Sequence, residues 1–464
     1  MNRKYKSLLK DTLIFALGSL GSKIILFFLV PLYTNYLTTY EYGIAELVST
    51  FSQLIIPISS LVIGQAVIRF GMMKSEKPEN VAVAAYTVLG FSVVVAILLI
   101  PVMGLYSPVR EWRLYLCMQV ILSNFTEVEK TYLKVKDRNK LFSIISIIQT
   151  AIIALTNVLL LTVFHFGVKG YLIANILGAA AGTILAFFGG NLHCDLKRGK
   201  LDMALLGRMI AYSTPLIFGN ISWWVIHSSD KIMIEAMIGA STLGIYTAAT
   251  KIPSLINVII GIFNQAWGIS SIKEIESTGD TGFYTSVFRF FSTFLFGVCI
   301  VFIAFVRPFM NVYVGIEFRE AWKYTPLLLS AAVFYSIYAF VGTLYSALKK
   351  TKHDMWTSIL CAVINVVVNY FGIMAWGVWG AIVGTVVAYG VCAHVRILDI
   401  THMMKFGVDL TYWVNAVLLI SFAIAISVQW HPVIISFGVV LVFLVINVKV
   451  LKKCVKGPRG KYEA

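Results

Sequence analysis

The sequence predicts an all-α integral membrane protein of about fourteen transmembrane helices, arranged as two pseudo-symmetric six-helix lobes followed by two additional C-terminal helices. Three observations predict it. Of the 464 residues, 59% are hydrophobic and 13% charged, with a mean hydropathy of +0.83, a balance that no soluble globular domain of this size shows. Apolar runs of about 18 residues or more, long enough for a bilayer, recur along the chain with only short connections between them. Short motifs also recur in the same order at offsets of about 200 to 215 residues.

The runs fall near 11–33, 43–71, 83–106, 112–134, 141–164, 170–191, 209–238, 242–268, 283–306, 321–348, 354–375, 377–400, 411–430 and 432–450. The first exceeds a signal-peptide apolar segment and has no small-residue cleavage site behind it, so it is expected to remain a helix. The net charge of +16 would suggest nucleic acid in a soluble protein, but here its distribution reports topology. Basic clusters lie in the N-terminal tail (Arg3, Lys4, Lys6, Lys10), in the connection from span four to five (Lys130, Lys134, Lys136, Arg138, Lys140), in that from span six to seven (Lys197, Arg198, Lys200, Arg208), at Lys349, Lys350 and Lys352, and in the C-terminal tail. All fall on one side if fourteen helices alternate, which places both termini in the cytoplasm. The six cysteines (Cys117, Cys194, Cys299, Cys361, Cys392, Cys454) lie in spans or on that side, so neither disulfides nor a metal site is expected.

The repeat divides the spans into equivalent halves. Ser22-Lys23-Ile24 recurs as Asp230-Lys231-Ile232, and Tyr42-Gly43-Ile44 before span two as Leu243-Gly244-Ile245 before span eight. Gly167-Val168-Lys169-Gly170 opens span six, as Gly377-Val378-Trp379-Gly380 opens span twelve. Residues 1–200 and 201–405 therefore form an N-terminal and a C-terminal lobe, and 406–464 carry two further helices and a basic tail. A six-helix repeat keeps its orientation, so the halves are expected as parallel bundles with a cavity at their interface.

Charges inside the spans mark that cavity. Lys23 sits about twelve residues into the first apolar run, roughly 18 Å deep at about 1.5 Å per residue, and a lysine facing lipid there is costly enough to imply a polar interior. Lys231 and Lys251 repeat the anomaly. Span eight carries Thr247, Thr250, Lys251, Ser254, Asn257, Gly261, Asn264 and Gln265 on one helical face. Span two carries Glu46, Ser49, Thr50, Gln53, Pro57, Ser60, Gly64 and Gln65 in the same way, span seven adds Asn220, Trp223, His227, Asp230 and Lys231, and span one adds Thr12, Ser19, Ser22 and Lys23. Helix packing in membranes also uses small polar residues at this spacing, so the lysines carry more weight than the serines and threonines. Lys231 follows Asp230 directly and lies near the external end of span seven, which leaves three roles open, cavity cation, half of a structural ion pair or interfacial anchor. Arg69, near the cytoplasmic end of span two, is accounted for equally by cavity lining and by snorkelling into headgroups. Glu127 and Lys130 at i, i+3 are expected to satisfy one another.

Cations outnumber carboxylates at depth, which points to an anionic ligand such as a phosphate or diphosphate, held by lysine charges and neutral hydrogen bonds. Trp223, Trp224 and Trp267 offer faces for sugars or serve as core and interfacial anchors. No nucleophile stands beside His227 and Asp230, and there is no phosphate-binding glycine loop. An enzyme is therefore not expected. Asp230 and Glu46 are the candidates for ion coupling.

Leu17-Gly18-Ser19-Leu20-Gly21-Ser22-Lys23 through Pro31-Leu32-Tyr33, then Glu41-Tyr42-Gly43, Ser228-Ser229-Asp230-Lys231, Gly244-Ile245-Tyr246, Ala249-Thr250-Lys251-Ile252-Pro253 and Gln265-Ala266-Trp267 resemble the polysaccharide transporter family of Wzx-type flippases. Asn365, Asn369 and Gly377-Val378-Trp379-Gly380-Ala381 extend the resemblance over essentially the whole chain. It implies the V-shaped two-lobe fold of multidrug extruders and lipid II flippases, in the bacterial cytoplasmic (inner) membrane. It also implies translocation of an undecaprenyl-diphosphate-linked oligosaccharide (an O-antigen, capsule or exopolysaccharide repeat unit) to the outer leaflet, alongside glycan polymerase and chain-length partners. By that resemblance Lys23 and Lys251 hold the diphosphate, with Arg69 a looser match, and no cofactor is needed beyond a coupling proton or sodium ion. The alternatives are an ion-coupled multidrug extruder of the same fold, or a membrane glycan polymerase.

Overall fold

The computed structural model describes residues 21–277, 281–429 and 432–455. Thr12, Ser19 and the rest of residues 11–20 of the first expected span lie outside the described residues, as do the last basic residues of the C-terminal tail. Every regular element among the described residues is helical. In order these are α1 (21–36), α2 (Thr39–Ser59), α3 (Ile63–Gly71), α4 (Pro78–Leu98), the short α5 (Ile100–Met103) and α6 (Ser107–Arg110), α7 (Arg113–Val135) and α8 (Asn139–Val158). A π-helical turn (Leu159–Val163) extends α8, and α9 (Gly167–Gly189), α10 (Leu192–Arg198), α11 (Met203–Met237), α12 (Ala240–Ser277) and α13 (Thr281–Tyr313) follow. After a 3₁₀ segment (Ile316–Lys323) come α14 (Thr325–Ala347), α15 (Thr351–Trp376), α16 (Val378–Met403), α17 (Leu410–Ser427) and α18 (Pro432–Val455).

Ten of these helices are long and apolar enough to cross a membrane, and eleven if α2 and α3, bent by 50°, form one broken span. Fourteen were expected. The difference has three sources: residues 11–20 of the first run lie outside the described residues and leave α1 short, α7 carries Arg113, Glu127, Glu129, Lys130 and Lys134, and the apolar part of α18 is short, at Val433–Val448.

Local chemistry sets the element ends. Thr38 caps α2 in a capping box, its hydroxyl accepting from the Glu41 amide while the Glu41 carboxylate accepts from the Thr38 amide at 2.9 Å. Asp202 caps α11 by accepting from the Ala204 and Leu205 amides. The repeated glycine motif has one job in both halves: Gly167 and Gly377 take left-handed φ values of +53° and +58° and turn the chain into the next helix. Three residues on, Gly380 packs directly on the Gly372 backbone, so α15 and α16 form a close hairpin that a side chain would wedge apart.

The chain divides into two compact units, Met1–Gly244 and Ile245–Ala464. In the first, α7 packs on α2, α3, α4 and α9, and α11 lies against α2, α3 and α4. Its apolar core includes Ile63, Val67, Leu89, Tyr132, Leu205 and Met209. The sequence repeat turns over near residue 200, yet α11, the opening span of the second repeat, packs with the first. In the second unit, α14 is buried along nearly its whole length against α13, α16 and α17.

Candidate functional site

A cleft of about 190 Å³ opens within the first unit, lined by Gln53, Ile56, Pro57, Ser60 and Val62 from α2 and the break behind it, Glu127 from α7, and Asn220, Trp223 and Trp224 from α11. The break creates the cleft. Pro57 removes a backbone donor inside α2. Three residues later the helix stops, and Leu61 and Val62 take left-handed φ values of 52° and 53° before α3 starts in a new direction. A β-branched residue in that region is strained. The wall is tied down by Asn124 Nδ2, which donates to Ser59 Oγ at 2.9 Å, and by Trp224 Nε1, which donates to the Thr50 carbonyl at 3.0 Å.

Two of the cleft's polar groups bond to the backbone of their own segments. Asn220 donates its Nδ2 to the Leu216 carbonyl of its own helix, and Ser60 donates its hydroxyl to the Ile56 carbonyl. The Trp223 indole is 54% exposed and stacks on His227 at a centroid distance of 4.3 Å, which fixes it as a platform.

Elsewhere between α2 and α11 lies a buried ion pair. Lys231 Nζ donates to Glu46 Oε1 at 2.5 Å, with side-chain exposures of 15% and 8%. Asp230, the partner that adjacency suggested, instead accepts from the Lys231 amide. Tyr106 donates to Glu235 near the same end of α11.

The predicted residues divide accordingly. The structure brings Gln53 and Trp223 together in the cleft, and Glu46, Lys231 and Asp230 into the ion-pair cluster. Lys23 and Arg69 are exposed, in the first described turn of α1 and the last turn of α3, and neither lines the cleft. Ser22 donates to the Ser146 carbonyl and docks α1 on α8. In the second unit Lys251 is half-buried and Thr250 donates to the Thr247 carbonyl. Asn257 and Asn264, a heptad apart on the same stripe, each bury a side-chain oxygen that no donor meets among the described residues. The Gln265 side chain lies outside the described residues.

Two groups carry more than the sequence assigned them. Glu127 was expected to pair with Lys130; Lys130 donates to Gln149 Oε1 at 3.3 Å and lies over Phe142, yet stays within electrostatic reach of Glu127, which also lines the cleft. Arg396, deep in α16, is 2% exposed and donates to Thr357, Tyr338, Ser358 and Asp354, the last at 2.6 Å. It clamps α14, α15 and α16 together. An arginine facing an aspartate across a helical hairpin is the sequence signal that would have found it.

The first half of the chain, residues 8–268, matches the family model described as polysaccharide biosynthesis protein. The chain belongs to that family. A curated relative, Lsg locus putative protein 1 of Haemophilus influenzae, is 22% identical over 263 residues, 55% of this chain. The match spans 64% of that relative's length. Among solved structures, the lipid II flippase MurJ in an inward closed conformation is similar with a TM-score of 0.70 at 13% identity, covering 95% of this chain and 100% of its own. An inward-facing multidrug resistance MATE transporter of the MOP superfamily gives 0.63 at 14% identity over 84% and 94% of the two chains. The Vibrio cholerae MATE transporter VcmN gives 0.55 at 13% over 89% and 100%. This member of the polysaccharide biosynthesis protein family is thus a multi-pass membrane protein whose fold is similar to that of the MurJ and MATE structures.

Proposed function

We propose that this protein carries an undecaprenyl-diphosphate-linked oligosaccharide from the cytoplasmic to the outer leaflet of a bacterial inner membrane, by alternating access of a bundle of about fourteen helices with both termini cytoplasmic. One observation carries the proposal: inside a membrane-spanning unit lies a cleft combining an exposed indole platform, Trp223, with the acceptors Gln53, Asn220, Ser60 and Glu127. Sugar hydroxyls donate to such acceptors, and a sugar's apolar face stacks on an indole. Lys23 and Lys251 supply charge for the diphosphate, one in each unit, with Arg69 near the cytoplasmic end of α3.

The second unit adds a feature suited to the lipid. A groove of about 400 Å³ runs along α13, α17 and α18, lined by Val301, Phe305, Ile426, Phe437 and other apolar side chains, with Arg307 and Trp322 also in its wall. A polyprenyl chain fits such a surface. Moving two negative charges outward across an inside-negative potential of about 100 mV releases roughly 4 to 5 kcal/mol, at about 2.3 per charge, a driving force for the cycle.

The test is complementation of a glycan-deficient strain by Lys23→Ala and Lys251→Ala. The expected result is accumulation of the lipid-linked oligosaccharide on the cytoplasmic face; full activity in both variants removes the cationic-site proposal. A second reading, an ion-coupled extruder, draws on Glu127, a carboxylate in the cleft of the first unit. Purified protein that transports a cationic dye and leaves the lipid-linked glycan in place decides for it.

A further inference from the structure

The transport proposal makes no use of the pairing of α15 with α16, whose contacts form a ladder. Gly372 packs on Gly380, and the Asn369 side chain lies against Gly384. Further along, Arg396 Nε donates to Thr357 Oγ1 at 2.9 Å, and His353 Nδ1 meets Asp399 Oδ2 at 2.9 Å. Between these rungs the antiparallel register sets Cys361 opposite Cys392, eight residues from the Asn369–Gly384 contact on each helix and four from the Thr357–Arg396 bond.

The two thiols therefore face each other from different spans. Both are free and both are fully buried, at 0% exposure. The Cys361 thiol lies 3.8 Å from the Ala388 carbonyl, one turn before Cys392, and within hydrogen-bonding reach of the Cys392 sulfur. A single buried cysteine is explained by packing, because its thiol behaves as a small hydrophobe. Two in register are a dithiol. Arg396 stands one turn beyond Cys392 and donates to Thr357 and Tyr338 beside them, so a guanidinium is at hand to balance the charge of a thiolate.

We propose that Cys361 and Cys392 are a peroxide-sensitive modification site, closing to a disulfide that joins α15 to α16. The oxidant is a peroxide, small and neutral enough to enter a membrane span. One thiol loses its proton and attacks the O–O bond, taking one oxygen as a sulfenic acid. The other oxygen leaves as hydroxide and takes up that proton to become water. The second thiol then attacks the sulfenic sulfur, and its proton leaves with the sulfenic hydroxyl as a second water. Two electrons pass from the two sulfurs to one peroxide. The glycine contact already holds the hairpin near Gly372 and Gly380, and the bridge fixes it again toward the start of α15. A cross-link of this kind restrains the unfolded chain, so the bridged protein unfolds at a higher temperature.

The test is treatment of the purified full-length protein in detergent with hydrogen peroxide, followed by digestion without reductant and mass spectrometry. The expected product is one peptide pair joined through Cys361 and Cys392, lighter by two hydrogens and separated again by dithiothreitol. Cys299, equally buried but on α13, is expected to stay a thiol and serves as the internal control. Cys361→Ser and Cys392→Ser should each leave the remaining partner as a sulfenic acid that dimedone traps. If the serine variants do not fold, the bridge mapped in wild type decides. Thiols at 361 and 392 that remain reduced in the peroxide-treated folded protein, or that bridge to other cysteines instead, overturn the site. The readout is chemical and needs no transport, so its failure leaves the transport proposal untouched.

Discussion

The second and eighth spans are repeat-mates that diverge where chemistry begins. Each opens on a glycine, Gly43 in α2 and Gly244 in α12, and the two meet: a Cβ on Gly43 would overlap the Ala240 carbonyl, and one on Gly244 the Thr39 carbonyl. From that shared start the helices separate in character. Three residues on stand Glu46 and Thr247, seven on Thr50 and Lys251, ten on Gln53 and Ser254. One span places its acid where the other has a hydroxyl, and its hydroxyl where the other has a lysine. The second span then breaks at Leu61 and Val62 with a 50° bend, while α12 runs unbroken from Ala240 to Ser277 through its own proline, Pro253. A common scaffold thus carries an acidic, bent wall in one half and a basic, continuous wall in the other.

The largest expected effect comes from the shared start. Gly43→Leu drives a side chain into backbone that cannot yield, and is expected to abolish recovery of folded protein, a loss on the order of 4 to 5 kcal/mol or more. Gly261→Ala in α12, where nothing lies within 4 Å, is expected to leave folding unchanged. Detergent-solubilised yield and size-exclusion profile measure both. If Gly43→Leu is recovered like wild type, the glycine contact is not a structural constraint.

Next is the acid that only the second span has. Glu46→Thr copies the equivalent Thr247 but strands Lys231 in a buried setting. Removing one member of a buried pair costs about 3 to 5 kcal/mol, whereas replacing both with apolar groups of similar volume is close to neutral. Glu46→Thr should therefore lower the unfolding temperature sharply, and the double variant Glu46→Leu with Lys231→Met should recover most of the loss. An equal loss in both would mean that shape, not charge, holds α2 to α11.

These contrasts show what sequence alone can carry. The glycine motifs were legible because their glycines do mechanical work: Gly167 and Gly377 turn, Gly43 and Gly244 touch. The polar stripes were legible because helical periodicity is a local property. The partner of Lys231 was not, since Asp230 is its neighbour in the chain but Glu46 reaches it across two helices. The hydrogen bond of Lys130 was hidden for the same reason; spacing offered only Glu127, and the added bond to Gln149 depended on how α8 packs. The break after Ser60 was marked by Pro57 only as a bend, because Leu61 and Val62 are residues that ordinarily avoid the left-handed region.

Lys251 sharpens the comparison in function rather than stability. As a half-buried cation on a continuous helix, it is assigned by the transport proposal to substrate, so Lys251→Ala should cut flipping about tenfold, equivalent to about 1.4 kcal/mol, with little change in unfolding temperature. Thr50→Ala, its repeat-mate, should do neither, because the structural bond there is made by the Thr50 carbonyl rather than its hydroxyl. Equal transport by both variants would place substrate charge recognition outside span eight.

The smallest effect tests the break itself. Leu61 and Ile262 each follow their glycine by eighteen residues and each is half-buried, but Leu61 is left-handed and Ile262 is helical. Leu61→Gly gives up side-chain packing and relieves a left-handed penalty of roughly 1 to 2 kcal/mol, terms that nearly cancel. Ile262→Gly gives up comparable packing and adds a helix cost of about 0.5 to 1 kcal/mol. Unfolding in detergent should therefore find Leu61→Gly within about 1 kcal/mol of wild type and Ile262→Gly lower by about 2 kcal/mol. The reverse order would mean that the second span relaxes into a continuous helix when free to do so, and that the bend at the cleft is imposed by its neighbours rather than built into residues 60 to 62.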